Sequence, residues 1–456
     1  MSKIEVNTVA PQCGTTLTLG ESGDTVTLGT GASQSGFGRT GTVDWETTPK
    51  TSTFTGVSGK GYFINSGSEL TCNLPAGTAG DIISFSDYAR NFATYKFSVS
   101  PNGSEKVGGV AQDAILNIDG QAATFIYVDS TKGWINVQNA EDTETGQTPA
   151  FIAATGGTIT TVCTNYKVHT FTGPGTFEVT CAGNALGSNT VSYLVIAGGA
   201  GGGGEEGGGG GAGGFRESES PFCSYTQSPL ATSTGLPVSA TSYPIQVGGG
   251  GAGQTSGPTP AAAGTPSIFS SVTSTGGGRG GGQQCGHTVG LPGGSGGGGH
   301  GDGGGTTCWT GGTGNTPPVS PAQGKDGGNG FKRTPAPPGP ASEAAGGGGG
   351  ATACGVTATL NNAGNGGAGA TTSINGTPTA RAGGGGGGAG LPSSPIGTGG
   401  TGGGGNGTNN NTTAGAGTTN TGSGGGGGGG NGGAGPGGAN GGAGGSGIVI
   451  IRYKFQ

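Results

Sequence analysis

From residue 198 onward more than one residue in three is glycine: 93 of the chain's 119 glycines lie in those 259 positions, and 26 lie before them. Glycine loses more backbone freedom on folding than any other residue and contributes no side chain to bury. Tracts near 198–214, 248–253, 276–282, 293–305, 346–350, 364–369, 383–390, 399–407 and 424–447 alternate with segments rich in Pro, Thr, Ser and Asn. No strict Gly-x-y period runs through them, which excludes collagen. Nothing in them can form an ordinary apolar core. One ordered state remains, extended threefold helices of the polyglycine II type. Lacking Cβ atoms, such helices approach closely enough to bond main chain to main chain. At about 3.1 Å per residue a continuous 424–447 would be a rod of roughly 74 Å.

Strands are expected on both sides of this region. Val191 to Ala197 runs into the first tract, and Ile448 to Phe455 follows the last, with Val449, Ile451, Tyr453 and Phe455 on one face. A flexible tail needs no strand after it, so the chain is expected to go out and return. Before it, Lys167–Thr172 and Thr176–Thr180 read as a hairpin around Gly173-Pro174-Gly175. Between 43 and 138, apolar runs recur every 8 to 16 residues with Gly, Pro or Asn between them, the rhythm of an antiparallel sandwich. Leu17-Thr-Leu19-Gly20 and Val26-Thr-Leu28-Gly29 repeat a short strand-turn unit that needs a neighbour to pair with. The expected class is therefore all-β: a short-strand N-terminal segment (1–41), an antiparallel β-sandwich (42–138), a linker (139–165) whose first part, 139–150, is an acidic hinge, and a glycine-rich domain of packed polyglycine II helices framed by strands (166–456).

Charge and motifs exclude several functions. Charged residues make up 9% of the chain and the formal net charge is −6, with no basic stripe, so nucleic acid is not an expected partner. No run approaches the roughly 20 apolar residues of a membrane span, and the first residues lack the pattern of a secretory signal. The eight cysteines contain no CxxC, and free thiols are expected, although Cys163 and Cys181 flank the expected hairpin and could face one another. Gly-x-Gly-x-x-Gly matches abound, but none sits at a strand-to-helix turn, and Gly324-Lys325 is followed by Asp326 rather than completing a phosphate loop. Cys285, His287, His300, Asp302 and Cys308 have no standard metal spacing and read as loop and rod-end residues. His169 reads as structural, and Glu205-Glu206 as solvated loop charge. Neither a catalytic constellation, a cofactor nor a metal is expected, and the chain does not read as an enzyme.

Side chains in the glycine-rich half concentrate in 215–246 and 306–344. Phe222, Tyr225, Trp309, Phe331, Lys332 and Arg333 are the candidate recognition residues. Each aromatic has a second reading, as a pin holding its loop to the rods.

Tyr166–Thr172, Val191–Gly199, Gly210–Arg216, Tyr243–Gly249 and Gly445–Tyr453 together resemble the glycine-rich domain at the tips of bacteriophage tail fibres. Residues 1–138 are similar to fibre proteins of marine phages, including those of cyanobacteria, through Ser22-Gly-Asp-Thr-Val-Thr-Leu-Gly, Gly61-Tyr-Phe, Leu74-Pro, Gly80-Asp-Ile and Gly133-Trp. In some T-even-like phages the distal adhesins are sandwiches of polyglycine helices whose loops bind the host. The resemblance implies a homotrimeric tail fibre in the virion, joined to other virion proteins through its N-terminus. Its tip would recognise a host cell-surface polysaccharide or outer-membrane protein. A structural connector or decoration protein without receptor binding is the alternative, and a surface-polysaccharide hydrolase comes third.

Overall fold

The computed structural model describes residues 43–138, 149–255, 259–283, 288–301, 309–331, 343–360, 362–430 and 438–456. The N-terminal strand-turn repeat, Lys332 and Arg333, and Cys285, His287, Asp302 and Cys308 lie outside the described residues. The chain divides into two units, Met1–Gln147 and Thr148–Gln456. All regular structure in the described residues is β.

In the first unit the strands are β1 (Asp44–Lys50), β2 (Phe54–Thr55), β3 (Lys60–Ile64), β4 (Leu70–Asn73), β5 (Ile82–Asp87), β6 (Phe97–Ser100), β7 (Ala114–Leu116), β8 (Ala122–Asp129) and β9 (Gly133–Asn136). They form two sheets, β1-β3-β5-β8-β9 and β2-β4-β6-β7. A single core between them contains Tyr62, Ile64, Leu70, Ile83, Phe85, Phe97, Val99, Phe125 and Trp134. Two facing sheets agree with the expected sandwich, but the pairing departs from it. β1 with β3, β3 with β5, β2 with β4 and β4 with β6 are all parallel. Through β6 the chain crosses to the other sheet at every turn, so strands two apart run in the same direction. Only β5-β8, β6-β7 and β8-β9 are antiparallel.

The second unit begins with β10 (Ile152–Thr155) and β11 (Thr158–Val162), strands that occupy the second half of the expected linker. It continues with β12 (Tyr166–Phe171), β13 (Gly175–Ala182), β14 (Thr190–Ile196), β15 (Phe215–Ser218), β16 (Ala231–Thr232), β17 (Leu236–Pro237), β18 (Ser242–Gln246), β19 (Ser267–Phe269), β20 (Val272–Ser274), β21 (Ala370–Thr372), β22 (Thr379–Arg381) and β23 (Ile448–Lys454). The main sheets are β10-β13-β18-β19-β20 and β11-β12-β23-β14-β15-β16. The expected hairpin around Gly173-Pro174-Gly175 is therefore corrected: β12 pairs with β11 and β23, whereas β13 pairs with β10 and β18. That turn carries the chain from one sheet to the other. Cys163 lies in the turn between β11 and β12 and Cys181 on β13 of the other sheet, and both are free.

The out-and-back path is present. β14 and β23 are antiparallel neighbours, Ile196 opposite Ile448 and Ser192 opposite Arg452. Both are apolar on both faces because each face meets a different core. Tyr193, Val195, Val449, Ile451 and Tyr453 pack between the two sheets, with Phe455 alongside. Leu194, Ile196, Ile448 and Ile450 pack on the other face with Ala212, Phe215, Ala351, Ala370 and Ala382.

Candidate functional site

The glycine segments grow out of the strands and bond to one another every third residue. After β14, the N–H groups of Ala197, Ala200 and Gly203 donate to the carbonyls of Gly214, Gly211 and Gly208. Residues 197–203 and 208–214 thus run antiparallel, joined by Glu205 and Glu206, whose φ angles of 47° and 49° make the reversal. Residues 207–214 show how the third dimension is filled. Gly207, Gly210 and Gly213 donate to Gly428, Gly425 and Gly422; Gly208, Gly211 and Gly214 to Gly281, Gly278 and Thr275; Gly209 and Ala212 to Gly346 and Gly349. Its carbonyls accept from three further segments, Gly385 and Gly388, Ala200 and Gly203, and Ser295 and Gly298. Partners that rotate with a period of three residues are those of an extended threefold helix, and a segment bonded on all sides needs no side-chain core.

Glycine is required here by distance. A Cβ added at Gly208, Gly209 or Gly210 would lie 2.0, 2.1 or 2.2 Å from the carbonyl oxygen of Gly298, Gly385 or Ala200. The segments are short, however. Gly442 donates to Gly426 and Gly445 to Ser423, so the chain reverses between 430 and 438 and 424–447 is not the single rod expected. No described segment exceeds about ten residues, roughly 31 Å at the 3.1 Å per residue of an extended threefold helix.

Following these bonds assigns every turn to one of two ends. At the end beside the sheets lie 215–246, the β19-β20 hairpin, 292–294, 314–322, 351–354, the β21-β22 hairpin, 401–404 and 418–422. At the far end the chain reverses at Glu205–Glu206 and at 359–362, 390–396 and 408–414. It also leaves and re-enters the lattice there between 254 and 261, 282 and 288, 301 and 309, 331 and 343, and 430 and 438.

The four described candidates, Phe222, Tyr225, Trp309 and Phe331, do not form one surface. Phe222 and Tyr225 are at the sheet end. Arg452, 1% exposed, lies between the rings of Tyr166 and Tyr225 at 4.4 and 5.1 Å, and donates through Nη2 to Ser224 O at 3.1 Å. Tyr225 also packs against the apolar core beneath it, and its burial raises its phenol pKa. It holds its loop in place, the second of the two readings. Trp309 and Phe331 are at the far end and adjacent in backbone: Gly330 N–H donates to Trp309 O at 2.9 Å, and Phe331 N–H to Ala344 O at 2.9 Å. Both side chains are half-buried.

Glu205 and Glu206 are not solvated loop charge. Glu205 Oε1 accepts from Gly438 N–H at 2.7 Å, its carbonyl bonds His300 Nε2 at 2.9 Å, and Glu206 is 9% exposed. Their adjacency inside a glycine tract was the available signal, since two acids can cap free N–H groups where helices end. His169 is buried, its Nδ1 2.7 Å from Gly156 O and its Nε2 3.1 Å from Tyr453 Oη. Because the carbonyl can only accept, Nδ1 carries the proton and Nε2 accepts from tyrosine. Among the described residues no three His, Cys, Asp or Glu side chains converge as metal ligands.

An all-β frame that extrudes a lattice of hydrogen-bonded glycine segments defines a glycine-rich domain. Residues 170–454 match the family model of that description, and the chain belongs to the glycine-rich domain family. A comparison with curated proteins found no match.

Proposed function

We propose that this chain is a tail-fibre adhesin of a bacterial virus, carried on the virion as a homotrimer. Residues 1–41 join it to other virion proteins, and the far end of the glycine lattice recognises a host cell-surface polysaccharide or outer-membrane protein. The observation that carries the reading is a frame of main-chain-bonded segments, in which a Cβ added at most of the glycines would meet backbone, with side-chain-bearing turns at its far end. Such a frame holds its turns in fixed relative positions while leaving their sequences free, which suits a surface that must match one receptor among many. Trp309 and Phe331 belong to that end. Phe222 and Tyr225, at the sheet end, are assigned to the frame. Nothing in this reading requires a cofactor, and the protein acts by binding rather than catalysis.

The test is binding of the fluorescently labelled full chain to a panel of bacteria that includes cyanobacteria. Two variants accompany it, one with 302–308 and 332–342 replaced by short Gly-Ser links and one with 315–321 so replaced. Saturable binding that survives the second replacement and is lost with the first supports recognition at the far end. Loss with the second replacement alone, or with neither, would put recognition elsewhere on the chain, and no binding to any strain favours a structural connector.

A further inference from the structure

We infer that the first unit carries a separate binding surface for a neutral glycan, built on Trp45, Phe63 and Tyr88. These rings form a continuous row on the side of β1-β3-β5 turned away from the core. Trp45 and Phe63 have ring centroids 4.9 Å apart, and Phe63 and Tyr88 6.4 Å apart. None belongs to the buried core, whose residues on the same strands are Tyr62, Ile64, Ile83 and Phe85. Trp45 is 40% exposed and Tyr88 60%.

The platform has a built seat. Trp45 is opposite Gly61 in the β1-β3 register, and a Cβ on Gly61 would lie 2.6 Å from the Trp45 ring. The missing side chain lets the indole lie across the neighbouring strand with its outer surface open. Any other residue at that position would push the ring off the sheet.

Charge and area select the occupant. The strand residues sharing this face are Gly61, Phe63, Ile82, Ser84 and Ser86, with Ala122, Thr124, Ile126 and Ile135 beyond them, and none is ionised. Ser84 Oγ and Thr124 Oγ1 are 2.8 Å apart, which confirms the common face. The nearby ions are paired elsewhere. Asp44 and Lys60, joined at 2.6 Å, alternate with Trp45 and Gly61 and so belong to the other face. Lys50 bonds Glu46 at 2.7 Å and lies over the Phe54 and Tyr62 rings. A nucleic acid or an anionic membrane would need cations on this surface, and an acidic glycan would as well. A second copy of the chain would need about 800 Å² per partner, and the two exposed rings, with roughly 200 Å² open, approach it only together with the partly exposed Ile82, Ile126 and Ile135 further across the sheet. An uncharged aromatic row of that size fits the C–H faces of a few sugar rings in a neutral polysaccharide. This site lies outside the glycine-rich unit and does not depend on the adhesin reading.

Affinity electrophoresis of the full chain tests it, in native gels containing dextran, amylopectin, galactomannan or laminarin, with alginate and heparin as acidic counterparts. At least one neutral polysaccharide should retard the protein. Trp45→Ala should weaken that retardation about tenfold and Tyr88→Ala severalfold, with melting temperatures unchanged. Ile118→Ala, at another exposed apolar residue of the same unit, should match the wild type. The inference is overturned if no neutral polysaccharide retards the chain, if only the acidic ones do, or if retardation survives Trp45→Ala. A change in sedimentation mass on Trp45→Ala would overturn it too, by making the row a contact between copies. Host-cell binding that fails while laminarin or dextran retardation persists would remove the adhesin reading and leave this one.

Discussion

Burial lowers the pKa of His169 below its ordinary 6.5 although the bond to the Gly156 carbonyl opposes the shift, and accepting from the Tyr453 hydroxyl at Nε2 requires the neutral ring. Unfolding releases the imidazole to water, where it binds a proton more readily. Its contribution to stability is therefore complete above pH 6.5 and falls as the pH drops toward the lower folded value, by at most about 1.4 kcal/mol per pH unit. Glu217 has the opposite sign. Burial raises its pKa above 4.5 although Thr372 Oγ1 and Ser228 N–H both donate to it. Stability that it contributes below pH 4.5 is lost as the pH rises through its folded value. Urea midpoints from pH 4 to 8 separate the two. His169→Gln should flatten the decline below pH 6.5, and Glu217→Gln should raise the midpoint at pH 7 relative to wild type. An unchanged profile in either variant would mean that the group is hydrated in the folded protein.

Among the elements, the glycine segments behave as structural members because each residue points its N–H at a different neighbour. Gly208→Ala places a methyl group 2.0 Å from the Gly298 carbonyl, where only backbone could yield, and should cost about 3 kcal/mol or more. Gly249→Ala meets nothing nearer than Thr265 Oγ1 at 3.8 Å and should change stability by no more than about 1 kcal/mol, toward stabilisation through the unfolded chain. Equal losses in the two variants, read from urea midpoints, would contradict the packing. The strands framing these segments were legible because Val449, Ile451, Tyr453 and Phe455 alternate in a way that only a two-sided environment explains. Alternation shows which face a residue takes but not its partner. Hence the parallel coil of β1 to β6 and the separation of β12 from β13 into different sheets were hidden. Within the tracts glycine carries no such face signal, so their fold-backs, that of 424–447 above all, were not visible. For the same reason Phe222 and Trp309 read as equivalent loop residues although they sit at opposite ends of the lattice.

For the whole molecule, the consequence is an unusual source of cooperativity. Unfolding an ordinary domain exposes apolar side chains and raises the heat capacity by about 12–15 cal/mol/K per residue, whereas exposing polar groups lowers it. Much of the second unit buries main chain against main chain, so its unfolding should expose far more peptide than hydrocarbon. Scanning calorimetry of the full chain is expected to give a total increment well below the roughly 5.5–6.8 kcal/mol/K that 456 ordinary residues would produce. The tract amides should at the same time exchange as slowly as those of β14 and β23, although isolated glycine amides exchange quickly, because both sets open only when the lattice does. A full heat-capacity increment with rapid tract exchange would mean that the side-chain cores alone fold in solution. A low increment with slow exchange would show that hydrogen bonds between glycine segments, each worth only about 1 kcal/mol net, hold a rigid frame when inner segments such as 207–214 are bonded on all sides.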